Sequence, residues 1–160
     1  MPTSAPPRAL AVLSSLAVSL PEGDPSHAQG RRADAVEPAP NLDTPGVRQK
    51  PLLQAPLTRI PGKQATIFLG EFEPGASTPL HRHPGTEMLF VLEGRGRMEI
   101  AGRDSQPLES GNLVLVEPDP GVAWFSHRVV NEDEEAALHT LVIVIHDEGT
   151  PPALPALPAE

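Results

Sequence analysis

TPLHRHPGTEMLFVLEGRG, residues 78–96, joins a short polar segment to an apolar run. The apolar half ends at two closely spaced glycines, which predicts a buried strand followed by a turn. The polar half places His81, His83 and Glu87 around the dipeptide Pro84-Gly85. Polar side chains at the edge of an apolar strand are costly to bury unless they share a partner. The segment therefore predicts a site as well as a strand.

The spacing of these three side chains predicts that they converge. In an extended strand, residues i and i+2 point to the same face, so His81 and His83 lie together and Arg82 faces away. The Pro-Gly turn reverses the chain, and Glu87 then begins the next strand beside them. Two imidazoles and a carboxylate suit a divalent first-row metal, with Fe, Mn, Ni, Cu and Zn all open. Three other histidines are candidates for a fourth ligand: His127, His139 and His146.

The rest of the chain predicts an all-β fold. From Val47 onward, short apolar runs alternate with turn signals at intervals of about ten residues, which is typical of a sandwich or barrel. We count roughly nine strands and no convincing helix. Several strands are apolar on both sides, which suits two sheets packed face to face. Aromatic residues make up 3% of the chain, so Val, Leu and Ile must form most of the core.

Composition excludes several functions. The net charge is −9, and no basic stripe is available to neutralise phosphates, so a nucleic-acid partner is not expected. The chain has no cysteine, which rules out disulfides, zinc-thiolate sites and thiol nucleophiles.

The N-terminal residues 1–28 predict a signal peptide. An apolar run at residues 9–20 is too short to span a bilayer, and small residues at Ser26 and Ala28 favour cleavage after Ala28. The protein is therefore expected to be periplasmic or secreted, without a membrane span in the mature chain.

Three further segments follow the predicted signal peptide. Residues 29–46 have mixed charge and three prolines, and predict a linker or arm. Residues 47–149 hold the predicted strands and form one domain. Residues 150–160, TPPALPALPAE, are proline-rich and predict a disordered tail.

The histidine segment resembles the first motif of the cupins, G-x5-H-x-H-x3-4-E-x6-G. The matching residues are Gly75, His81, His83, Glu87 and Gly94. The second cupin motif is matched more loosely, by Gly111, Pro118 or Pro120, Gly121, His127 and Asn131. The resemblance covers roughly residues 47–149 and is greatest to small single-domain bacterial cupins described as quercetin-dioxygenase-like.

The resemblance implies a double-stranded β-helix, or jelly-roll barrel, that holds one divalent metal through His81, His83, Glu87 and His127. A strict alignment from Gly121 would place Trp124 at the last histidine position. His127 is preferred because the HRVVN segment and the apolar strand after it are similar to the closing strands of the family.

The resemblance implies two kinds of activity. One is a metal-dependent enzyme acting on a small organic substrate, for which a dioxygenase-like reaction is the first expectation and a lyase or isomerase reaction the second. In it, Glu87 either ligates the metal or takes a proton from substrate. The alternative is a cupin that binds a small ligand without turnover. The family also implies a homodimer, paired through a strand near residues 47–57.

Other polar and aromatic side chains receive simpler interpretations. His139 is expected on a strand face, and His146 is expected to be exposed beside Asp147. Trp124 and Phe125 either line the barrel mouth or close the end of the core. Because ligating histidines must be neutral, metal should be lost as the pH falls toward and below about 6.

Overall fold

The computed structural model describes Leu42, residues 44–117 and residues 126–156. These residues belong to the second of two compact units, which comprises residues 32–160. The first unit, the predicted signal peptide, most of the predicted linker, and the pair Trp124 and Phe125 lie outside the described residues.

Ten β-strands and no helix make up the regular structure of the described residues. The strands are β1 Val47–Pro56, β2 Lys63–Phe72, β3 His81–Arg82, β4 Gly85–Glu93, β5 Arg95–Ile100, β6 Gln106–Glu109, β7 Leu113–Val116, β8 His127–Asn131, β9 Leu138–Asp147 and β10 Leu154–Pro155. Within these ranges, no helix is long and apolar enough to cross a membrane.

The strands form two five-stranded antiparallel sheets. The first has the order β1-β2-β9-β4-β7 and the second has the order β10-β3-β8-β5-β6. The all-β prediction is confirmed, and so is the double-stranded β-helix. The inner faces of the two sheets form one apolar core. The first sheet contributes Phe68, Leu89 and Val142 to this core, and the second contributes Met98 and Val129.

Strict alternation along the strands builds this core. In β9, every second residue from Leu138 to His146 is buried, while the residues between them are partly exposed. Alternation of this kind follows from the two-residue period of a strand. It aims one face of β9 at the core and the other face away from it.

Two glycines let strands approach one another more closely than other residues would allow. Gly94 has φ = 88°, and a Cβ at this position would lie 2.4 Å from the carbonyl oxygen of Ala137. At Gly85, a Cβ would lie 2.0 Å from the carbonyl oxygen of Ile145. The close approach at Gly85 seats the start of β4 against β9, and Glu87 then points inward two residues later.

The packed domain extends beyond residues 47–149 on both sides. Before β1, Leu42 is buried, and the Thr44 hydroxyl donates a hydrogen bond to the carbonyl oxygen of Ser77. At the other end, β10 pairs antiparallel with β3. The expectation that residues 150–160 are disordered is therefore wrong for the stretch that contains β10. A proline lacks a backbone donor, but an edge strand such as β10 tolerates that loss.

Candidate metal centre

Four side chains from both sheets meet in the interior at one end of the barrel. His81 lies on β3 and is paired with His127 on β8, while His83 follows β3 directly. Glu87 comes from β4 in the other sheet. All four side chains are almost fully buried, with exposed fractions of 4% or less. The structure thus brings together the four residues that the family resemblance implied as ligands, whereas His139 and His146 lie outside the cluster.

The distances within this cluster are short. Ligand atoms of His81, His83 and His127 all lie within 4.8 Å of one another. The Nε2 atoms of His81 and His83 are 3.2 Å apart. Oε2 of Glu87 lies 3.4 Å from Nε2 of His83 and 3.2 Å from Nε2 of His127. Three imidazoles therefore cluster in the interior, and the Glu87 carboxylate oxygen lies beside two of them.

Backbone carbonyls orient two of the histidines. The Nδ1–H group of His81 donates to the carbonyl oxygen of Pro79 at 2.9 Å. The Nδ1–H group of His83 donates to the carbonyl oxygen of Pro152 at 2.6 Å. Because a carbonyl can only accept, the neutral rings carry their proton on Nδ1 and present the Nε2 lone pair to the cluster. Such a second hydrogen bond is the usual support of a metal-ligating histidine.

Burial keeps the histidines neutral and the glutamate partly protonated. Desolvation lowers the pKa of His81 to about 4, and the neighbouring His83 also acts to lower it. Desolvation likewise lowers the pKa of His83 to about 4 and that of His127 well below its ordinary value. The same burial raises the pKa of Glu87 to about 7, against the opposing influence of His81.

The cluster fits a bound cation. With the ring protons on Nδ1, the lone pairs of His81 and His83 face each other without a hydrogen between them. Oε2 of Glu87 is buried and accepts no hydrogen bond from the described residues. Buried polar atoms in native proteins normally have partners. A divalent metal between the imidazoles and the Glu87 carboxylate would give these lone pairs and Oε2 a shared partner. Nitrogen and oxygen donors of this kind suit a first-row ion.

A small cavity adjoins the cluster. Its volume is about 20 Å³. Apart from the cluster, its walls include Phe68, Leu89 and Val142, together with the hydroxyl-bearing Thr78 and Thr140. A volume of this size holds about one water molecule. Apolar walls next to the convergent donors would limit the access of bulk water to them.

The prediction for His146 is wrong, because this side chain is fully buried. It occupies an inward position of β9 and contacts two hydroxyl groups. Thr66 Oγ1 lies 2.8 Å from Nε2, and Thr150 Oγ1 lies 3.2 Å from Nδ1. Since Thr150 Oγ1 donates to the carbonyl oxygen of Asp147, it accepts from Nδ1. Alternation along β9 from the apolar Leu138 places His146 on the inward side. The acidic residues that follow it, Asp147 and Glu148, instead suggested an exposed position.

His139 lies where the sequence suggested, on a strand face outside the cluster. Its side chain is 38% exposed, and its Nδ1 is 3.6 Å from Oε2 of Glu93. The sequence reasoning missed Pro152, whose carbonyl orients His83. No side-chain pattern could reveal a backbone acceptor in a proline-rich tail.

Together, these features define a double-stranded β-helix protein whose three buried histidines could hold a metal ion. The family model of the cupin domain matches residues 68–144. The chain belongs to the cupin superfamily and has one small domain of this type.

Similar proteins support the fold. Auxin-binding protein 4 of Zea mays is 31% identical over 91 residues, which cover 51% of this chain and 42% of that protein. The match therefore spans less than half of that relative's length. A cupin-like protein of Thermotoga maritima has 26% identity and a TM-score of 0.51, with coverage of 69% of this chain and 75% of that one. The polyketide cyclase RemF of Streptomyces resistomycificus has 20% identity and a TM-score of 0.51, with coverage of 72% and 74%.

Proposed function

We propose that this cupin holds one divalent transition metal through His81, His83, Glu87 and His127 and uses it on a small organic molecule. The observation that carries the proposal is the close clustering of three buried imidazoles, with the Glu87 carboxylate beside two of them. Three protein histidines with a carboxylate leave room for a further ligand on most first-row ions, and an open position distinguishes catalytic from structural metals.

The metal would supply a Lewis acid or, if it is iron, a redox centre for dioxygen chemistry. Around it, His81 and His83 keep a fixed tautomer because backbone carbonyls accept their Nδ1 protons. Glu87 would either ligate the metal or, when it is off the metal, accept a proton from a bound substrate, from a buried position that raises its metal-free pKa to about 7. The apolar walls formed by Phe68, Leu89 and similar side chains exclude bulk water from that transfer.

The favoured activity is a dioxygenase-like reaction, with a lyase or isomerase as second choice. What supports the former is the resemblance to quercetin-dioxygenase-like cupins together with the ligand set. The cavity of about 20 Å³ leaves space beside the cluster for a molecule no larger than water or dioxygen. A larger substrate would require side chains in the cavity wall to move.

A second candidate is a small-ligand-binding protein without turnover. The support is the 31% identity to a protein named for auxin binding, over 91 residues. In this reading the metal anchors a ligand atom, and Glu87 serves only as a metal ligand. The two candidates differ in whether a bound molecule is converted.

Elemental analysis of the purified protein, beside the His83→Ala variant, tests the proposal. We expect about one transition metal per chain in the wild type and a large loss of metal in the variant. The substitution removes one proposed ligand from between His81 and Glu87, whose ligand atoms lie 3.2 and 3.4 Å from His83 Nε2. Iron would favour the dioxygenase-like reaction, whereas zinc, manganese or nickel would favour the lyase or isomerase. Wild-type protein without stoichiometric metal would contradict the site itself.

The Glu87→Gln variant then separates the enzyme from the binding protein. Turnover that disappears while metal is retained would support catalysis by Glu87. Tight ligand binding without any product, in both proteins, would support the binding function.

Metal binding at about pH 6 is expected to release up to one proton per ion from Glu87, because its pKa of about 7 leaves the carboxyl mostly protonated. The histidines contribute almost none, since His81 and His83 titrate near pH 4. The raised glutamate pKa means that the release falls toward zero as the pH rises well above 7. Calorimetry in buffers of different protonation enthalpy measures it. A release that is unchanged in Glu87→Gln would show that another group supplies the proton. Metal affinity is therefore expected to fall by up to about tenfold per pH unit below 7, where the ion must displace the Glu87 proton, and more steeply near pH 4, where His81 and His83 also titrate.

We further propose that the protein is exported to the periplasm or secreted, with cleavage after Ala28. The support is the apolar run at residues 9–20 followed by small residues. N-terminal sequencing of the mature protein is expected to start at Gln29, and an intact N-terminus would contradict export by this route.

A further inference from the structure

His146 is a fully buried histidine that lies outside the metal cluster. It occupies the inward side of β9, where β4 pairs it with Gly85, two residues before Glu87. Buried polar atoms normally have hydrogen-bond partners, and both ring nitrogens of His146 contact a hydroxyl, one from Thr66 and one from Thr150. An apolar residue at this position would fill the same space without holding either hydroxyl. The two contacts therefore indicate what the imidazole contributes here.

The hydrogen bonds around His146 have one consistent direction. Burial lowers the pKa of His146, so the ring is neutral near pH 7 and has a single N–H group. The Thr150 hydroxyl donates to the carbonyl oxygen of Asp147 at 2.7 Å and accepts from the Nδ1–H group of His146 at 3.2 Å. Nε2 then carries the lone pair, and the Thr66 hydroxyl donates to it at 2.8 Å. His146 thus joins β2 to Thr150.

The chain between Thr150 and the metal centre has little conformational freedom. Thr150 is followed by Pro151 and Pro152. A proline ring fixes φ at about −65°, and the residue before a proline is restricted to extended conformations. Both limits apply within this Thr-Pro-Pro segment, so the position of Thr150 largely determines the position of the Pro152 carbonyl. That carbonyl accepts the Nδ1 proton of His83 at 2.6 Å.

Residues 150–156, which we call the strap, are held at both ends. At the far end, β10 pairs with β3 through two residue pairs, and Nε of Arg82 donates to the carbonyl oxygen of Pro155 at 3.1 Å. At the near end, His146 holds the first residue of the strap. Pro152 is buried between the two attachments. Without the His146 contact, the strap would be fixed to the barrel mainly from the side of β10.

We infer that His146 is a positioning residue for the metal centre. It holds Thr150, the restricted Thr-Pro-Pro segment carries that position to Pro152, and the Pro152 carbonyl fixes the tautomer and direction of His83. The inference rests on the proposed metal site, although His146 is not one of the proposed ligands. Because the coupling runs through a backbone carbonyl, a change at Thr150 should reach His83 without altering any side chain of the cluster.

Two substitutions of Thr150 test the inference. Thr150→Val removes the hydroxyl and keeps a β-branched side chain of similar size, whereas Thr150→Ser keeps the hydroxyl. By NMR of the ring nitrogens in the metal-free protein, we expect the His83 proton on Nδ1 in the wild type and in Thr150→Ser. In Thr150→Val, a second population with the proton on Nε2 should appear. Metal affinity should fall about tenfold in Thr150→Val, the lower end of the range for an outer hydrogen-bond partner, and should stay within about twofold in Thr150→Ser.

Thr66→Val is the control for lost stability. It removes the other hydroxyl that contacts His146 and leaves the contact with Thr150 in place. Its thermal stability should fall, whereas its metal affinity and its His83 tautomer should match the wild type. An equal fall in metal affinity in Thr66→Val and Thr150→Val would contradict the inference, because the effect would then follow from general destabilisation.

His146→Leu should give the same mixture of His83 tautomers as Thr150→Val. If this buried substitution prevents folding, Thr150→Val decides the test, since Thr150 is only partly buried. A His83 proton that stays on Nδ1 in Thr150→Val would overturn the inference. The tautomer is measured without metal, so this result stands even if the wild type binds no metal and the proposed function fails.

Discussion

The His127→Ala variant is expected to lose stoichiometric metal. His127 is the proposed ligand on β8, in the sheet opposite to that of Glu87, and its Nε2 lies 3.2 Å from that carboxylate. Alanine leaves a cavity and a buried carboxylate whose partner ion is held by two imidazoles. Loss of an outer hydrogen-bond partner typically lowers metal affinity by about 10–100-fold, so loss of a ligand should exceed that range. Competition with a chromophoric chelator measures the affinity.

The matched control for this prediction is His139→Ala. His139 is also a strand histidine beside a glutamate, but it lies on the outward side of β9 and outside the cluster. Its affinity for metal should match the wild type. Metal at about 1,000 times the wild-type dissociation constant should add about 4.1 kcal/mol to the stability of the wild type and of His139→Ala, and less than about 1.4 kcal/mol to that of His127→Ala. Equal metal binding by His127→Ala and the wild type would remove His127 from the ligand set.

Ending the chain after Thr150 is expected to lower metal affinity by about 10–100-fold, although no ligand is removed. The deletion removes the Pro152 carbonyl that accepts the Nδ1 proton of His83 at 2.6 Å, and it removes the buried Ala153. It also removes β10 and with it the pairing of β10 to β3, the strand that carries His81. His83 would then be free to rotate, so its Nε2 lone pair would no longer be held toward the cluster.

A second truncation, after Ala156, is the control. It keeps β10 and the Pro152 carbonyl, and its affinity should equal that of the full chain. Titration of the metal-free protein by NMR gives an independent readout. Burial is the largest cause of the low His83 pKa, so the pKa should rise from about 4 toward 6.5 when the chain ends at Thr150. Unchanged affinity and an unchanged pKa would show that the tail does not position His83.

Local spacing in the sequence was sufficient for the fold class and for the candidate ligands. The period of two in a strand put His81 and His83 together, and the Pro-Gly turn brought Glu87 back beside them. His127 followed from the family resemblance. The fold class is confirmed, and the four candidate ligands lie close together in the structure. Each inference depended on neighbouring residues or on a motif with several correctly spaced positions.

The errors came from features that depend on distant partners. His146 was expected to be exposed because acidic residues follow it, but its direction is set by the register of β9, and its partners include Thr66 on β2. The tail was expected to be disordered because it is rich in proline, but the edge of β3 accepts it.

What the sequence alone determined is therefore the chemistry of the site: which histidines and which carboxylate can meet, since side-chain type and spacing are local properties. Tertiary structure alone decided how that site is held and what surrounds it. The tautomer of His83 depends on a carbonyl 69 residues away along the chain. The contacts between the strands of each sheet likewise exist only once five strands are aligned in register, because a row across a sheet joins residues that no sequence window contains.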